Sequence, residues 1–329
     1  MKAFIESRSV IISLLTASRR FNRKGVSRLS RGLKLRMRTR TLPCLARNSL
    51  HLSVSLVNYS SCQMDINPLR VVLWSAPRCM SSVFERSIRE LQDVKVIYEP
   101  HQQAYYYGPE RKSDSSYPEP SELNPAATFQ AADEKFLQPY EGCRAVFIKN
   151  HAYFVEGNYE HYTKGRFAHL KHTFLIRNPN KSIPSLVKAR TMCGFPAVSD
   201  DNGIEQLYSM FKSVQLVDPN PVIIDADDLL ANPRDMMKCF CSATGLPFQE
   251  TMLTWTPGFI SDWTEFMYYK EWHGTAMMSS GFIKPTASAP EVPATAHPQQ
   301  VKDAIQRAPP FYEAMYAIRM TPHQSNSQC

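Results

Sequence analysis

Glycine is scarce in this chain, which has 12 glycines among 329 residues. None of them lies between residues 70 and 90, where a short apolar run is followed by a turn and a helical pattern. The phosphate-binding loop of ordinary kinases and ATPases has the pattern G-x-x-x-x-G-K-[ST], because glycine lets the backbone approach the phosphates closely. The missing glycines argue against that loop at this place.

The first 64 residues are almost free of acidic residues and contain no long apolar run. They hold thirteen Lys and Arg residues against one acid, Glu6, and their longest apolar stretch is Val10–Leu15. A bilayer span needs about 18 residues, so we expect no membrane span. The Arg- and Ser-rich composition is typical either of a transit peptide or of a disordered basic extension preceding a working start at Met64. The predicted location is cytoplasmic or mitochondrial.

The excess of positive charge ends with this segment. The whole chain carries a net charge of +8, whereas residues 65–329 hold 25 basic and 29 acidic residues, a net charge of −4. Nucleic-acid binding needs a clustered cationic face on the folded part of a protein. We therefore expect no nucleic-acid partner, and we predict a basic leader over 1–64 followed by a single domain over 65–329.

The eight cysteines lack the paired spacing of a zinc site. Cys239 and Cys241 are the one close pair, and they lie in a helical pattern without a histidine cluster nearby. We interpret them as two thiols in or beside a core. The sequence predicts no metal and a reducing compartment.

Short apolar runs suited to buried strands recur along 65–329. They are residues 70–75, 94–98, 145–149, 173–177 and 221–225. Helical patterns separate them, and buried strands alternating with helices indicate βαβ units and a parallel sheet. The predicted fold class is α/β, a three-layer sandwich with a central parallel sheet.

Capping signals place several helix ends. Ser81 and Ser82 can begin a helix, another is expected near Lys181, and Asn232-Pro233 and Gly245 bracket a third. Polar or Pro-rich composition predicts exposed loops over 109–127 and 284–299. One or two short helices, interrupted by Pro309-Pro310, are expected over Val301–Ile318.

Two candidate sites lie at predicted strand ends, where open α/β sheets bind ligands. The turn from Pro77 to Ser82 leads into a helix N-terminus, whose free N–H groups suit phosphate or sulfate, and Arg78 adds a cation. Arg177 ends a later strand, and Ser185 lies one to two turns into the next helix, which suits a terminal phosphate. Taken alone, each pattern also fits a plain strand–helix turn.

Together and in this order, these elements resemble the sulfotransferase family. The family's 5′-phosphosulfate loop, P-[KR]-[ST]-x-[ST]-[ST], is similar to Pro77–Ser82. Arg177 with Ser185 is similar to its 3′-phosphate element, and Ile224–Phe248 is similar to a later family stretch. Tyr98-Glu99-Pro100 and Gly108–Arg111 resemble a divergent intracellular group that sometimes carries a branched-chain aminotransferase-like label.

The resemblance implies a P-loop NTPase-like topology and a sulfotransferase that uses 3′-phosphoadenosine 5′-phosphosulfate and no metal. The sulfuryl group would pass to a hydroxyl or amine of a small-molecule acceptor. It implies donor binding by Pro77, Arg78, Cys79, Met80, Ser81, Ser82, Arg177 and Ser185. Cys79 and Met80 depart from the family pattern, and Met80 adopts a positive φ less cheaply than glycine. We therefore expect the loop path to differ.

Two residues compete for the role of catalytic base, while Arg78 would neutralise the departing bisphosphate. The resemblance places Glu99 where carboxylate-using members have their base, and His151 is similar to the base of cytosolic phenol and steroid sulfotransferases. We rank Glu99 slightly ahead. The aromatic runs Tyr105–Tyr107 and Trp263–Tyr269, followed by Trp272 and His273, either line the acceptor pocket or belong to the core.

Two alternatives stay open at this point. One is a P-loop kinase of small molecules, for which Asp225 after the 221–225 strand is a weak candidate magnesium ligand. The other is a non-catalytic nucleotide-binding module that keeps Arg177 and Ser185 without the chemistry.

Overall fold

The computed structural model describes residues 68–113, 123–195, 202–265, 268–283 and 297–322. The predicted leader, residues 1–64, lies outside the described residues. The same holds for residues 114–122, within the predicted loop 109–127, and for residues 284–296, most of the predicted loop 284–299.

A parallel sheet of five strands runs through the described structure. The strands are β1 (Leu69–Ser75), β2 (Val94–Tyr98), β3 (Ala145–His151), β4 (Lys171–Ile176) and β5 (Val222–Asp225). Their order across the sheet is β2-β3-β1-β4-β5, and every neighbouring pair is parallel. The five predicted strands are confirmed, with shifts of one or two residues at some ends.

Helices connect and flank the strands. The α-helices of the described ranges are α1 (Ser81–Arg89), α2 (Gln102–Tyr107), α3 (Phe129–Leu137), α4 (Pro179–Met192), α5 (Ile204–Gln215), α6 (Ala226–Ala231), α7 (Pro233–Thr244), α8 (Tyr269–Met278), α9 (Gln299–Arg307) and α10 (Pro309–Tyr316). Short 3-10 helices lie at Ala152–Val155, Tyr159–Thr163, Gly165–Phe167, Glu250–Leu253 and Ser261–Glu265.

The central strands are covered on both faces. All residues of β3 are buried, and so are all residues of β1 after its first. Because side chains alternate between the two faces of a strand, burial of consecutive residues requires cover on both sides. Phe84 of α1, for example, packs edge-on against Phe240 of α7, with ring centroids 4.9 Å apart. The predicted three-layer α/β class is confirmed.

Local capping explains where helices α4 and α7 begin and end. Asn232 caps α7 by accepting a hydrogen bond from the Asp235 N–H, and Gly245 ends the helix with a φ of 82°. Helix α4 begins at Pro179, before the expected Lys181, because the Asn178 side chain accepts from the Asn180 N–H at 2.9 Å.

Helix α1 begins at Ser81, but its N-cap residue is Met80, so the predicted cap at Ser81 and Ser82 is wrong. Cys239 and Cys241 are buried in α7, as predicted. The C-terminal pattern forms two helices, α9 and α10, and the second begins at Pro309. In the part of the chain that the structure describes, no helix has the length and hydropathy that a bilayer crossing requires.

The order of the strands creates a switch point at the carboxyl end of β1. Strand β1 pairs with β3 on one side and with β4 on the other, so Ser75 lies beside both His151 and Leu175. The connection from β1 leads to β2 on one side of β1, and the connection from β3 leads to β4 on the other side. Open α/β sheets bind ligands at such a crevice, and the ends of β1, β2, β3 and β4 converge here.

Candidate active site

The loop between β1 and α1 follows a strained path. Arg78 has a φ of 65° and Met80 a φ of 68°, both in the left-handed region. That conformation costs an L-residue about 1–2 kcal/mol. Met80 therefore takes the path that we expected it to avoid. Among the described residues, Glu99 is the one other non-glycine with a positive φ, 33°, and backbone strain of this kind concentrates at functional sites.

One cavity of about 300 Å³ collects the residues that the sequence singled out. Its lining includes Pro77, Arg78, Met80, Ser81, Ser82, Glu99, His151, Arg177 and Ser185. Cys79 differs from them, because its side chain is buried in the hydrophobic core. Burial raises the pKa of the Cys79 thiol to about 12, so this side chain belongs to the core rather than to the cavity.

Arg78, Arg177 and Ser185 form what we call the cationic half of the cavity. Arg78 Nε donates to Ser185 Oγ at 3.1 Å, and Arg177 donates to the Arg78 carbonyl at 2.9 Å. Arg78 also donates to the Trp272 carbonyl at 2.7 Å. Burial and the charge of Arg177 lower the pKa of Arg78 to about 10. The two residues at the end of β4 and in α4 thus meet the β1 loop, as the sequence predicted.

The cationic half has positive charge that the described residues do not compensate. The hydrogen bonds of Arg78 and Arg177 go to a hydroxyl and to backbone carbonyls. Arg177 Nε is buried and has no hydrogen-bond partner among the described residues. Glu99 is the one acidic residue in the described lining. These features suit a multiply charged anion such as a phosphate or sulfate ester.

Glu99, Lys149 and His151 form the carboxylate half. Lys149 and His151 are two residues apart in β3, so both side chains lie on the same face of the sheet. The Glu99 N–H donates to the Lys149 carbonyl at 2.8 Å, which brings the end of β2 beside them. The Lys149 ammonium forms an ion pair with the Glu99 carboxylate, and His151 Nε2 lies 3.0 Å from the same oxygen.

The carboxylate half neutralises its own charge. Burial alone would raise the pKa of Glu99, but the charge of Lys149 and the hydrogen bonds from His151 and Lys149 outweigh it and hold that pKa well below its usual value. Gln102 Nε2 donates to the second oxygen at 2.8 Å. Glu99 is therefore a carboxylate that accepts hydrogen bonds on both oxygens. Its ion-pair partner is Lys149.

Both ring nitrogens of His151 contact protein groups. Burial and the nearby Lys149 lower the pKa of His151, which favours the neutral ring. Its Nε2 lies 3.0 Å from the acceptor-only carboxylate of Glu99. Its Nδ1 lies 3.1 Å from both the hydroxyl and the carbonyl oxygen of Ser75. Both nitrogens are therefore engaged within the protein, and Glu99 is the one carboxylate in the described lining of the cavity.

Several residues of the site were not assigned a role from the sequence. Tyr98, Gln102 and Tyr153 line the cavity. The Tyr153 hydroxyl lies 2.9 Å from that of Tyr106, a lining residue of the run Tyr105–Tyr107 that the sequence analysis considered for the acceptor pocket. The signal for the carboxylate half was the lysine in the apolar run 145–149, because a buried ammonium requires an anionic partner. Of the aromatic runs, Trp272 and His273 line the cavity, whereas the Trp263 side chain is fully buried.

Asp225, the magnesium ligand of the kinase alternative, is committed to the fold. One carboxylate oxygen accepts from the backbone N–H groups of Asp227 and Asp228 at 2.9 and 3.2 Å and so caps α6. The other accepts from the Tyr312 hydroxyl at 3.0 Å. Within the described ranges, no group of three or more His, Cys, Asp or Glu residues could hold a metal ion.

Comparison with known protein families matches residues 143–319 to the family described as Sulfotransferase domain. The match covers more than half of the chain. The chain belongs to the sulfotransferase family. This confirms the resemblance on which the sequence analysis relied, and the parallel sheet with its switch point is the sulfotransferase fold that the resemblance implied.

Individual relatives of this sulfotransferase are distant. Branched-chain-amino-acid aminotransferase-like protein 2 of Arabidopsis thaliana is 25% identical over 259 residues, which are 74% of this chain and 40% of that protein. Protein 1 of the same name and organism is 25% identical over 250 residues, with the same coverages. The chain thus spans about 40% of the length of the curated relatives it matches.

Solved sulfotransferase structures are similar at low identity. The sulfotransferase from Alicyclobacillus acidocaldarius is 14% identical, with a TM-score of 0.45, over 64% of this chain and 96% of that chain. The mouse sulfotransferase SULT7A1 complexed with PAP is 10% identical, with a TM-score of 0.40, over 76% of this chain and 87% of that chain.

Proposed function

We propose that this chain transfers the sulfuryl group of 3′-phosphoadenosine 5′-phosphosulfate to a hydroxyl or amine of a small-molecule acceptor. The observation that carries the proposal is the cavity at the carboxyl end of β1. It joins an uncompensated cationic half to a buried carboxylate half within one enclosed space. A sulfuryl transferase needs both, because it must bind a polyanionic donor and accept a proton from the acceptor.

The cationic half fits the donor. Arg177, with its unpartnered Nε, and Ser185 would hold the 3′-phosphate. Arg78, the Ser81 hydroxyl and the N-terminal N–H groups of the nine-residue helix α1 would hold the 5′-phosphosulfate. Bound there, the donor supplies an electrophilic sulfuryl group. The Arg78 guanidinium would stabilise the negative charge on the departing bisphosphate.

The carboxylate half fits the proton transfer. Glu99 would accept the proton that the acceptor hydroxyl or amine releases, and His151 and Lys149 would orient the carboxylate. Its lowered pKa keeps Glu99 ionised at neutral pH. The position of His151 supports this assignment, because its Nε2 faces Glu99 and its Nδ1 faces the hydroxyl and carbonyl of Ser75. We therefore keep Glu99 ahead of His151 as the base.

The test is thermal unfolding of the full chain with adenosine 3′,5′-bisphosphate and, separately, with Mg-ATP. At a hundred times its dissociation constant, the bisphosphate is expected to stabilise the chain by about 2.7 kcal/mol. Arg177→Ala is expected to abolish this shift. Arg166→Ala is the matched control, because Arg166 is an exposed arginine paired with Glu134 at 2.7 Å, outside the cavity lining.

The outcomes distinguish three functions of the site. A shift with the bisphosphate that Arg177→Ala removes and Arg166→Ala retains supports the donor site. A shift with Mg-ATP alone would contradict the proposal in favour of a kinase. A bisphosphate shift without sulfuryl transfer to any screened alcohol, phenol or amine would contradict the enzymatic part and indicate a nucleotide-binding module.

A further inference from the structure

His273 connects the two halves of the cavity. It lies in α8, is 6% exposed, and stacks on the Trp263 ring with centroids 4.6 Å apart. Both ring nitrogens have a hydroxyl partner. Nδ1 lies 2.9 Å from Ser82 Oγ, in the first turn of α1, and Nε2 lies 2.9 Å from the Tyr98 hydroxyl, at the end of β2.

Tyr98 immediately precedes Glu99 at the end of β2, so the hydrogen bond of its hydroxyl with His273 joins α8 to the strand end that carries the carboxylate. Burial and the charge of Glu99 raise the pKa of Tyr98 well above its usual value, so Tyr98 is a neutral phenol.

The ring of His273 is neutral, which completes the chain. Burial, and then the charge of Lys149, lower the pKa of His273 to about 3. A neutral ring has one donor and one acceptor nitrogen, so His273 donates to one hydroxyl and accepts from the other. A hydrogen-bond chain therefore runs from Ser82 through His273 to Tyr98. Because His273 engages the Ser82 hydroxyl, Ser82 is less available to a ligand than the sequence analysis assumed.

We propose that His273 is a positioning residue that couples the donor loop to the base, by holding Tyr98, the residue before Glu99, and by fixing the first turn of α1 through Ser82. This inference rests on the proposed function for its kinetic meaning. The adjacent residue strengthens the geometric argument, because the Trp272 carbonyl accepts from Arg78 at 2.7 Å. Two consecutive residues of α8 thus contact the loop.

Two variants, each with an amide in place of one ring nitrogen, separate the Tyr98 contact from the Ser82 contact. In His273→Gln the amide can replace Nε2, which keeps the Tyr98 contact and loses the Ser82 contact. In His273→Asn the amide can replace Nδ1, which keeps the Ser82 contact and loses the Tyr98 contact. We expect His273→Gln to raise the KM for the donor about tenfold with little change in kcat, and His273→Asn to lower kcat about tenfold with little change in donor KM. One lost hydrogen bond of about 1.4 kcal/mol corresponds to that factor.

A merely structural role predicts a different result. If His273 only stabilises the fold, both variants will lower the Tm and will change kcat and KM in parallel, without the opposite split. That outcome would overturn the proposal.

A second readout does not depend on activity. ¹⁵N NMR of the full chain with labelled histidine is expected to show His273 as a neutral ring, with one protonated and one unprotonated nitrogen, between pH 5 and 8. His172 is the internal reference, because its Nδ1 accepts from the Trp74 indole N–H at 3.0 Å, and an indole can only donate. Tyr98→Phe is expected to change the His273 Nε2 shift and leave that of His172 unchanged.

The two proposals fail in different ways. A charged ring for His273, or a His273 Nε2 shift that Tyr98→Phe leaves unchanged, would overturn the hydrogen-bond chain, whatever the activity of the protein. A neutral ring with the expected response to Tyr98→Phe, in a protein that binds no bisphosphate, would overturn the coupling role along with the proposed function and leave the hydrogen-bond geometry in place.

Discussion

The two halves of the cavity treat charge in opposite ways. The cationic half holds two guanidinium groups close enough that Arg177 helps to lower the pKa of Arg78. The carboxylate half pairs Glu99 with Lys149 and His151 in a buried cluster. The cationic half is therefore completed by a bound anion, whereas the carboxylate half is complete without a ligand. Ligand binding and fold stability thus depend on different residues of one site.

The largest expected effect concerns the carboxylate half and catalysis. Glu99→Gln removes the charge and keeps the size, and we expect turnover to fall about 10²- to 10⁴-fold, the range for loss of a general base. The affinity for adenosine 3′,5′-bisphosphate should stay unchanged, because the cationic half is intact. The measurement is transfer of labelled sulfuryl to an acceptor found by screening alcohols, phenols and amines.

Glu134→Gln, a change at an exposed residue of α3, is the control for this variant. His151→Ala is the competing variant, and we expect it to lose less activity than Glu99→Gln. A loss under tenfold in Glu99→Gln, together with a larger loss in His151→Ala, would move the base to His151.

The next effect contrasts two cations, one from each half. Lys149→Met leaves Glu99 buried without its main partner, and we expect the free energy of unfolding to fall by about 3–5 kcal/mol. Arg177→Met removes one hydrogen bond to a carbonyl and should cost at most about 1.5 kcal/mol. Urea unfolding of the ligand-free chain measures both.

The double variant Lys149→Met with Glu99→Gln tests the cause of that loss. It removes both charges, so we expect it to recover part of the stability that Lys149→Met loses. Equal losses in Lys149→Met and Arg177→Met would contradict the distinction between the two halves.

The same distinction explains what the sequence could predict. The loop Pro77–Ser82 is continuous in sequence and follows an apolar run, so local pattern located it. Arg177 and Ser185 lie one to two helical turns apart, so their proximity was also a local inference. The five strands were visible as apolar runs, because strands buried on both faces consist largely of apolar residues.

The carboxylate half could not be predicted from local sequence patterns. Glu99 and Lys149 are fifty residues apart, and their contact depends on the pairing of β2 with β3, in which Tyr98 lies opposite Lys149. Likewise, the contacts of His151 Nδ1 depend on Ser75, which the pairing of β1 with β3 places beside it. His273 reaches Ser82 and Tyr98 through the packing of α8, for which the sequence carries no local signal.

Acid should lower the free energy of unfolding through His273, the residue that connects the two halves of the cavity. The folded-state pKa of His273, about 3, lies below its ordinary value of 6.5. As the pH falls below 6.5 the unfolded chain binds a proton that the folded chain does not, so the free energy of unfolding falls by up to about 1.4 kcal/mol per pH unit. Glu99 has a lowered folded-state pKa as well, but its stabilising contribution is lost only below the ordinary carboxylate pKa.

Urea unfolding at pH 7, 6 and 5 checks this expectation. The slope between pH 6.5 and 5 should be shallower in His273→Gln than in the wild type, because one buried neutral histidine has been removed. The same slope in both proteins would show that His273 takes up a proton in the folded state, which would contradict its place in the hydrogen-bond chain.

The smallest effect tests the strained loop of the cationic half at Met80. Met80→Gly and Met80→Ala both remove the side chain, but only glycine relieves the left-handed φ of 68°. Glycine is also preferred to alanine at the N-cap position that Met80 occupies. We expect Met80→Gly to be more stable than Met80→Ala by about 1 kcal/mol in urea unfolding, the reverse of the usual order, in which glycine costs unfolded-state entropy. Alanine as the more stable variant would mean that the loop is not held in the left-handed path, and that the cationic half forms its geometry only when a ligand is bound.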